Sequence, residues 1–236
     1  MANPLGPPVD DWTPPALPSG PIGPGRYAAL EPLDAERHAA LLYRAWDGVD
    51  ALWDYMPVGP FGSAAQYHRW VRQAEADPAT RFFAIRDLET GQTAGVASYL
   101  RMDPANGSIE VGNICFGPVL QRTRAATEAM VLMMQWAFEA GYRRYEWKCN
   151  ALNRPSRAAA QRLGFSYEGT FRQHMVVKGL NRDTAWFSVI DREWPALKQA
   201  YDVWLSPTNF TDGGRQIESL SDLTRLVRAQ DDPTLE

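Results

Sequence analysis

The stretch SIEVGNICFGPVLQRTRAATEAMVLMMQWAFEA, residues 108–140, predicts a strand, a turn and a helix in immediate succession. Residues 108–116 alternate in polarity as a strand does, and Gly117 and Pro118 end it, because proline has no N–H for a sheet ladder. The helix that follows repeats its apolar side chains every three or four residues, and Gly141 suits the left-handed residue that closes a helix.

The turn between this strand and helix, residues 119–124, is typical of an anion site. The N–H groups of a first helical turn have no partner within the helix, and the helix dipole favours negative charge there. Arg122 and Arg124 add positive charges that can pair with phosphate oxygens. The alternative is a surface turn with two solvated arginines, since strand-turn-helix units are common.

A second short strand, residues 142–149, is followed by NRPSRAAAQRLGF at residues 153–165. Asn153 suits a helix N-cap, and Pro155 is tolerated in the first turn. Together with the later EGTFRQH strand, this order resembles the GNAT superfamily of acetyl-CoA-dependent N-acetyltransferases. Within it, residues 25–205 are most similar to the ribosomal-protein N-terminal acetyltransferase (Rim-type) family.

The resemblance implies an α/β (α+β) fold with a GNAT-like bent, mostly antiparallel mixed sheet and helices on both faces. It implies an enzyme that moves an acetyl group from acetyl-CoA, its cosubstrate, to a primary amine. An α-amine of a protein N-terminus or of a small molecule is the expected acceptor. The positions that would bind acetyl-CoA are Cys115, Phe116, Val119, Leu120, Gln121, Arg122, Thr123, Arg124, Ala125, Ala126 and Asn153.

Amide formation from a thioester requires a neutral amine, a donor for the oxyanion and a proton for the departing thiolate. By resemblance, Glu110 takes the amine proton directly or through water; it could instead be a surface carboxylate. Ser156 matches the serine of the family's N-x-x-S pattern and either donates to sulfur or merely caps its helix. His174 is a rival base, and a backbone N–H near residues 114–116 would serve the oxyanion.

Two departures from the family pattern support a different function. Arg124 stands where the family's turn usually has glycine, which we expect it to tolerate with a negative φ and an outward side chain. Ala160 stands where many members have tyrosine. The alternative is a non-catalytic acyl-CoA-binding regulatory or interaction protein with the same fold, and an unrelated phosphate-binding α/β domain is a further one.

Composition predicts one principal domain in these 236 residues, of which 45% are hydrophobic and 22% charged. We expect a Pro-rich extension at residues 1–25, the N-acetyltransferase domain at 26–205, and a linker with a tail helix at 206–236. The net charge of −4 argues against nucleic-acid binding. Residues 119–162 are nevertheless near +5 and the remainder near −9, so positive charge lies where a phosphate-rich cofactor would bind.

The chain has no apolar run near the roughly 20 residues of a membrane span and no recognisable signal peptide, which predicts a cytoplasmic protein without a membrane partner. Cys115 and Cys149 fall on predicted strands and are expected to be buried, reduced thiols. No metal site is expected, because the histidines are widely separated in the sequence. A homodimer is possible, and apolar residues at helical spacing in the tail predict a short helix that docks on the domain or across the dimer.

The remaining elements follow from local patterns. Strands are predicted at residues 26–32, 81–86 and 93–102, and helices at 34–46, 64–75 and 194–205. A hairpin is predicted from strands 171–177 and 184–190 with the six residues 178–183 as its turn.

Overall fold

The computed structural model describes residues 3–46 and 48–235, and within them the strands form one seven-stranded sheet of order β1-β2-β3-β4-β5-β7-β6. The strands are β1 (Ala28–Pro32), β2 (Thr80–Asp87), β3 (Thr93–Asp103), β4 (Ser108–Phe116), β5 (Arg144–Asn150), β6 (Ser166–Val177) and β7 (Leu180–Ile190). The helices are α1 (Ala35–Trp46), α2 (Ala64–Ala76), α3 (Arg124–Glu139), α4 (Arg154–Arg162), α5 (Trp194–Trp204) and α6 (Leu220–Thr224). The β4–β5 pair is parallel and the other neighbouring pairs are antiparallel, so the expected fold class is confirmed.

The helices cover both faces of the sheet. Helices α1 and α2 pack on one face, where Leu42 and Val71 meet Ala84 and Val96 of the central strands. Helices α3, α4 and α5 pack on the opposite face around aromatic side chains such as Phe187. The two cores share strands because successive side chains of a strand point to opposite faces. Within the described ranges, no helix has both the length and the apolar character needed to cross a membrane.

The strand-turn-helix prediction from residues 108–140 is confirmed. Strand β4 ends at Phe116, directly before Gly117 and Pro118. Gly117 is packed so tightly that an added Cβ would lie 2.5 Å from the carbonyl oxygen of Ala45 in α1. Gly141 closes α3 with a φ of +98°, as expected for a left-handed stop.

The predicted six-residue turn of the β6–β7 hairpin is wrong. The strands continue to Val177 and from Leu180, so the turn consists of Lys178 and Gly179 with φ values of +50° and +77°. Two positive φ angles characterise the type I′ turn that suits a two-residue hairpin, a conformation lysine rarely adopts. A tertiary contact compensates for this unfavourable backbone conformation. The Lys178 Nζ donates a hydrogen bond to the carbonyl oxygen of Trp53 at 2.7 Å.

Both terminal segments lie on the rest of the chain. In the N-terminal segment, the Trp12 indole N–H donates to the Ala105 carbonyl at 3.0 Å. In the C-terminal segment, Leu220 of α6 is fully buried in the core beneath α5. The tail helix was expected to dock either on its own domain or across a dimer. In the structure it packs on its own chain.

Candidate active site

Strands β4 and β5 diverge and leave a slot between them. Their parallel pairing joins Ser108–Val111 to Arg144–Trp147, whereas β4 continues to Phe116 and β5 to Asn150. A one-residue bulge in β4, where Asn113 has a φ of +51°, accompanies the divergence. Backbone N–H and C=O groups that face the slot are therefore available to a ligand instead of a neighbouring strand.

Side chains hold the bulge in place. The Asn113 side-chain amide donates to Ser98 Oγ at 2.9 Å, and that hydroxyl donates to the Gly112 carbonyl at 3.2 Å. A non-glycine residue with positive φ persists only where its surroundings compensate for the strain. The slot is thus a fixed feature of the sheet.

The turn between β4 and α3 presents backbone donors at one end of the slot. Thr123 caps α3 by accepting the Ala126 N–H at 3.0 Å. The N–H groups of Arg124 and Ala125 belong to the first turn, where the helix itself supplies no acceptor. Arg122 adopts a φ of +62°, so the left-handed residue lies here and not at the family's glycine position. The predicted anion site has the required local geometry.

Four of the expected cofactor-binding residues between β4 and the start of α3 can contact a ligand only through their backbone. The side chains of Cys115, Leu120, Ala125 and Ala126 are buried in the two cores. Burial raises the pKa of the Cys115 thiol to about 12, so it remains protonated. Arg122, by contrast, is exposed at the turn.

The Arg124 side chain, which we expected to pair with phosphate, makes other contacts in the structure. Its guanidinium contacts the Glu89 carboxylate at 2.5 Å and lies over the Tyr27 and Phe210 rings at 4.6 and 4.9 Å. The side chain does point outward from the first residue of α3, as expected, but it is already engaged within the chain. Only the Arg124 backbone N–H remains available for an anion.

Glu110 lies on β4 beside the slot with 3% of its side chain exposed. Its carboxylate oxygens accept from Nη1 of Arg101 at 2.8 and 2.9 Å, and Oε2 is 2.9 Å from the Lys148 Nζ. Lys148 in turn is 2.7 Å from Glu146 and 3.8 Å from the Trp186 ring centroid. Glu110 is thus a buried ion-paired carboxylate and not the surface group of the alternative interpretation.

Sequence reasoning missed Arg101 and Lys148 as neighbours of Glu110. Lys148 was recognisable in part, since Arg144, Glu146 and Lys148 alternate along β5 and must share one face. Arg101 was not recognisable, because a φ of +46° at a register irregularity of β3 brings its side chain to Glu110.

The start of α4 forms the β5 side of the site. Asn153 caps the helix, as predicted, by accepting the Ser156 N–H at 3.1 Å. The Ser156 hydroxyl oxygen accepts the Trp147 indole N–H at 3.1 Å, which leaves its own hydrogen free to donate. Burial raises the pKa of the neighbouring Cys149 thiol to about 11, against the opposing effect of the Ser156 hydroxyl.

The loop between α1 and α2 closes over this side of the sheet. The Tyr55 hydroxyl donates to the Leu152 carbonyl at 3.3 Å, which links the loop to the start of α4. His174 is exposed on the nearby hairpin, with Nδ1 3.0 Å from the Thr184 hydroxyl. An open pocket of about 810 Å³ adjoins His174, but its other lining residues lie along the hairpin and not in the slot.

Comparison with known proteins identifies the family of the fold. The family model described as an acetyltransferase (GNAT) domain matches residues 29–166. The crystal structure of a GCN5-related N-acetyltransferase from Brucella melitensis is 47% identical, with a TM-score of 0.89 over 92% of this chain and 100% of that one. A probable acetyltransferase of the GNAT family from Chromobacterium violaceum is 42% identical, with a TM-score of 0.77 over 83% of this chain and 99% of the other. The provisionally named ribosomal N-acetyltransferase YdaF of Bacillus subtilis (strain 168) is 29% identical over 72% of this chain and 92% of its own length.

Proposed function

The chain belongs to the GNAT acetyltransferase family, and on that basis we propose that it acetylates an α-amine at the slot between β4 and β5. It is an acetyl-CoA-dependent N-acetyltransferase. The observation that carries the proposal is the buried carboxylate of Glu110 on β4, the strand that leads into a turn suited to bind an anion.

The residues present fit acetyl-CoA, which supplies an activated acetyl thioester when bound. The turn amides and the exposed Arg122 would hold its phosphates. The open edges of β4 and β5 would pair with the amide groups of its pantetheine arm, beside Asn153. The rest of the site is then free for the acceptor.

We assign the chemical roles as follows. The amine nitrogen bonds to the thioester carbonyl carbon, the C–S bond breaks, the amine loses a proton and the thiolate gains one. Glu110 receives the amine proton directly or through water, because a carboxylate has about four acceptor positions and its cation contacts leave at least one free. A slot-facing N–H in residues 114–116 stabilises the carbonyl oxygen, and Ser156 donates to the thiolate.

Acid–base equilibria favour an α-amine over a lysine side chain as acceptor. An α-amine with a pKa near 8 is about 10% neutral at pH 7, whereas a lysine near 10.4 is neutral in about one molecule in 2,500. That difference corresponds to about 3–3.5 kcal/mol, more than one carboxylate already paired with two cations can be expected to offset. The activity itself is tested by thiol release from acetyl-CoA with a panel of amines.

We expect a peptide with a free N-terminus and no lysine to be acetylated faster than the same peptide with a blocked N-terminus and one internal lysine. Competition between the two at pH 7, followed by mass spectrometry, measures the preference. Faster acetylation of the lysine peptide would contradict an α-amine acceptor.

Arg122→Ala is expected to weaken CoA binding about tenfold, since a charge-assisted contact is worth about 1.5–3 kcal/mol. Arg124→Ala is the matched control in the same turn. Because its guanidinium contacts Glu89, Tyr27 and Phe210, its loss should lower the unfolding temperature and change CoA affinity less than threefold. Calorimetry that showed the reverse order of affinities would mean that Arg124 rearranges to bind phosphate.

We also propose that the protein acts in the cytoplasm, and a homodimer remains a prediction from the sequence of the terminal segments. Residues 1–25 and 206–236 remain proposed extensions of a catalytic domain at 26–205. Light scattering of the full chain would measure the oligomeric state directly.

A further inference from the structure

Arg182 lies on the same face of the sheet as Glu110. On β7, Arg182, Thr184 and Trp186 occupy alternate positions and share one face, and Lys148 lies over the Trp186 ring on that face. The Arg182 Nε donates to the Thr184 hydroxyl at 3.2 Å. Glu110 and Arg101 are both close enough to affect the pKa of Arg182, which Glu110 raises and Arg101 lowers.

Arg182 has no anionic partner in the described part of the chain, where no carboxylate lies within 4.0 Å of its guanidinium. The carboxylates of this face are matched by other cations, Glu110 by Arg101 and Glu146 by Lys148. Arg182 is half-buried, and this burial lowers the pKa of its guanidinium. An arginine remains charged even so, and a desolvated charge without a partner is costly. Such an arginine beside a reaction site is suited to a ligand anion.

Arg101 has further donors on the same face. It reaches Glu110 through Nη1, which leaves Nε and Nη2 of its planar fork for another anion. Its side chain is 49% exposed, so a ligand can approach it. The positive φ of Arg101 is a strained conformation, of a kind that concentrates at binding sites.

We propose that the acceptor carries a carboxylate near its reactive amine, and that Arg182, assisted by Arg101, binds this carboxylate while the amine approaches Glu110. The inference rests on the proposed function and narrows its substrate class. Guanidinium groups recognise carboxylates through parallel hydrogen bonds, which would also orient the amine. A free amino acid has this chemistry, and so does a peptide whose first side chain is acidic.

Acceptor pairs with and without the carboxylate test the proposal, with rates compared per neutral amine because the carboxylate also raises the pKa of the neighbouring amine. We would compare free amino acids with their amides, and Asp-Ala-amide with Asn-Ala-amide, by thiol release from acetyl-CoA. The expected result is at least a tenfold higher kcat/KM for the carboxylate member of one pair, and the pair that responds identifies the source of the anion. Equal rates for acid and amide in both pairs would overturn the proposal.

Arg182→Gln is expected to abolish this preference through a higher KM for the acceptor, with the KM for acetyl-CoA unchanged. Arg182→Lys should retain part of the preference for the carboxylate, because lysine keeps the positive charge but lacks the two parallel donors of a guanidinium. Arg192→Gln, at an exposed arginine in the turn after β7, is the matched control and should behave as the unaltered protein. Retention of the full preference by Arg182→Gln would contradict the assignment, and thermal unfolding shows whether each variant is folded.

Binding distinguishes a failure of this inference from a failure of the proposed function. With CoA present, calorimetry should show that the unaltered protein binds the N-acetylated carboxylate member of at least one of the two pairs at least tenfold more tightly than its amide counterpart, and that Arg182→Gln does not. If no amine releases thiol but this difference persists, the carboxylate site stands and the α-amine acetylation is refuted. If turnover occurs without any such difference, the carboxylate site is refuted alone.

Discussion

Glu110→Gln should lower kcat by about 10²–10⁴, because a positioned proton acceptor contributes a factor of that size. Glutamine keeps the shape of the side chain but cannot take a proton from the amine. Affinity for CoA should stay within a fewfold, since Glu110 lies on the sheet face and not in the turn that would hold the phosphates. Steady-state kinetics with separate calorimetry of CoA distinguishes the two effects.

Glu146→Gln is the matched control for Glu110. Its carboxylate contacts the same Lys148 at 2.7 Å and also accepts from Arg144 at 2.7 Å, but it belongs to β5 and is not the group to which we assign the amine proton. The kcat of Glu146→Gln should fall by less than tenfold. If kcat of Glu110→Gln falls by less than threefold, Glu110 is not the base, and His174→Ala becomes the variant to measure.

Asp232→Ala should lower the free energy of unfolding by about 3–5 kcal/mol, because it leaves a buried charge without its partner. Asp232 is fully buried, and each of its carboxylate oxygens accepts from Arg157 at 2.6 Å. Arg157 also donates to the Ala151 carbonyl at 2.8 Å, so the tail holds the loop before α4. Denaturant unfolding measures the loss, and a raised KM for acetyl-CoA should accompany it.

Asp202→Ala is the control for this pair. Asp202 forms an exposed contact with Lys198 one helical turn away, at 2.9 Å. Exposed pairs of this kind contribute about 0.3–0.5 kcal/mol to stability. The decrease in unfolding free energy of Asp202→Ala should therefore be close to the error of measurement. Equal destabilisation by the two variants would show that the tail does not anchor α4.

The contribution of Asp232 to stability should disappear in acid. Burial alone would raise the pKa of its carboxyl, but the hydrogen bonds from Arg157 and Thr234 outweigh burial and lower it. A lowered folded-state pKa means that the stabilisation is complete above the unfolded pKa of about 3.9 and is lost as the pH falls through the folded value. The difference in unfolding free energy between the unaltered protein and Asp232→Ala should therefore be constant near pH 7 and shrink below pH 4.

The sequence by itself determined the elements whose signals are local. Pro118 cannot extend a strand, Gly141 adopts the left-handed stop, and Asn153 caps the next helix through a contact three residues away. These signals act within a few residues, so the order of strands and helices and the position of the turn before α3 could be read directly. The resemblance to a known family was carried by the same local motifs.

Tertiary structure alone decided which side chains meet in the site. Arg101 reaches Glu110 through a strained backbone, Lys178 adopts a turn conformation that its side chain disfavours, and Arg157 finds Asp232 75 residues further along the chain. The Arg124 side chain, which we expected to pair with phosphate, is engaged within the chain for the same reason, since Tyr27 and Phe210 come from distant segments. Contacts of this kind form because packing brings remote segments together and compensates the local cost, and no periodicity or motif in the sequence records that compensation.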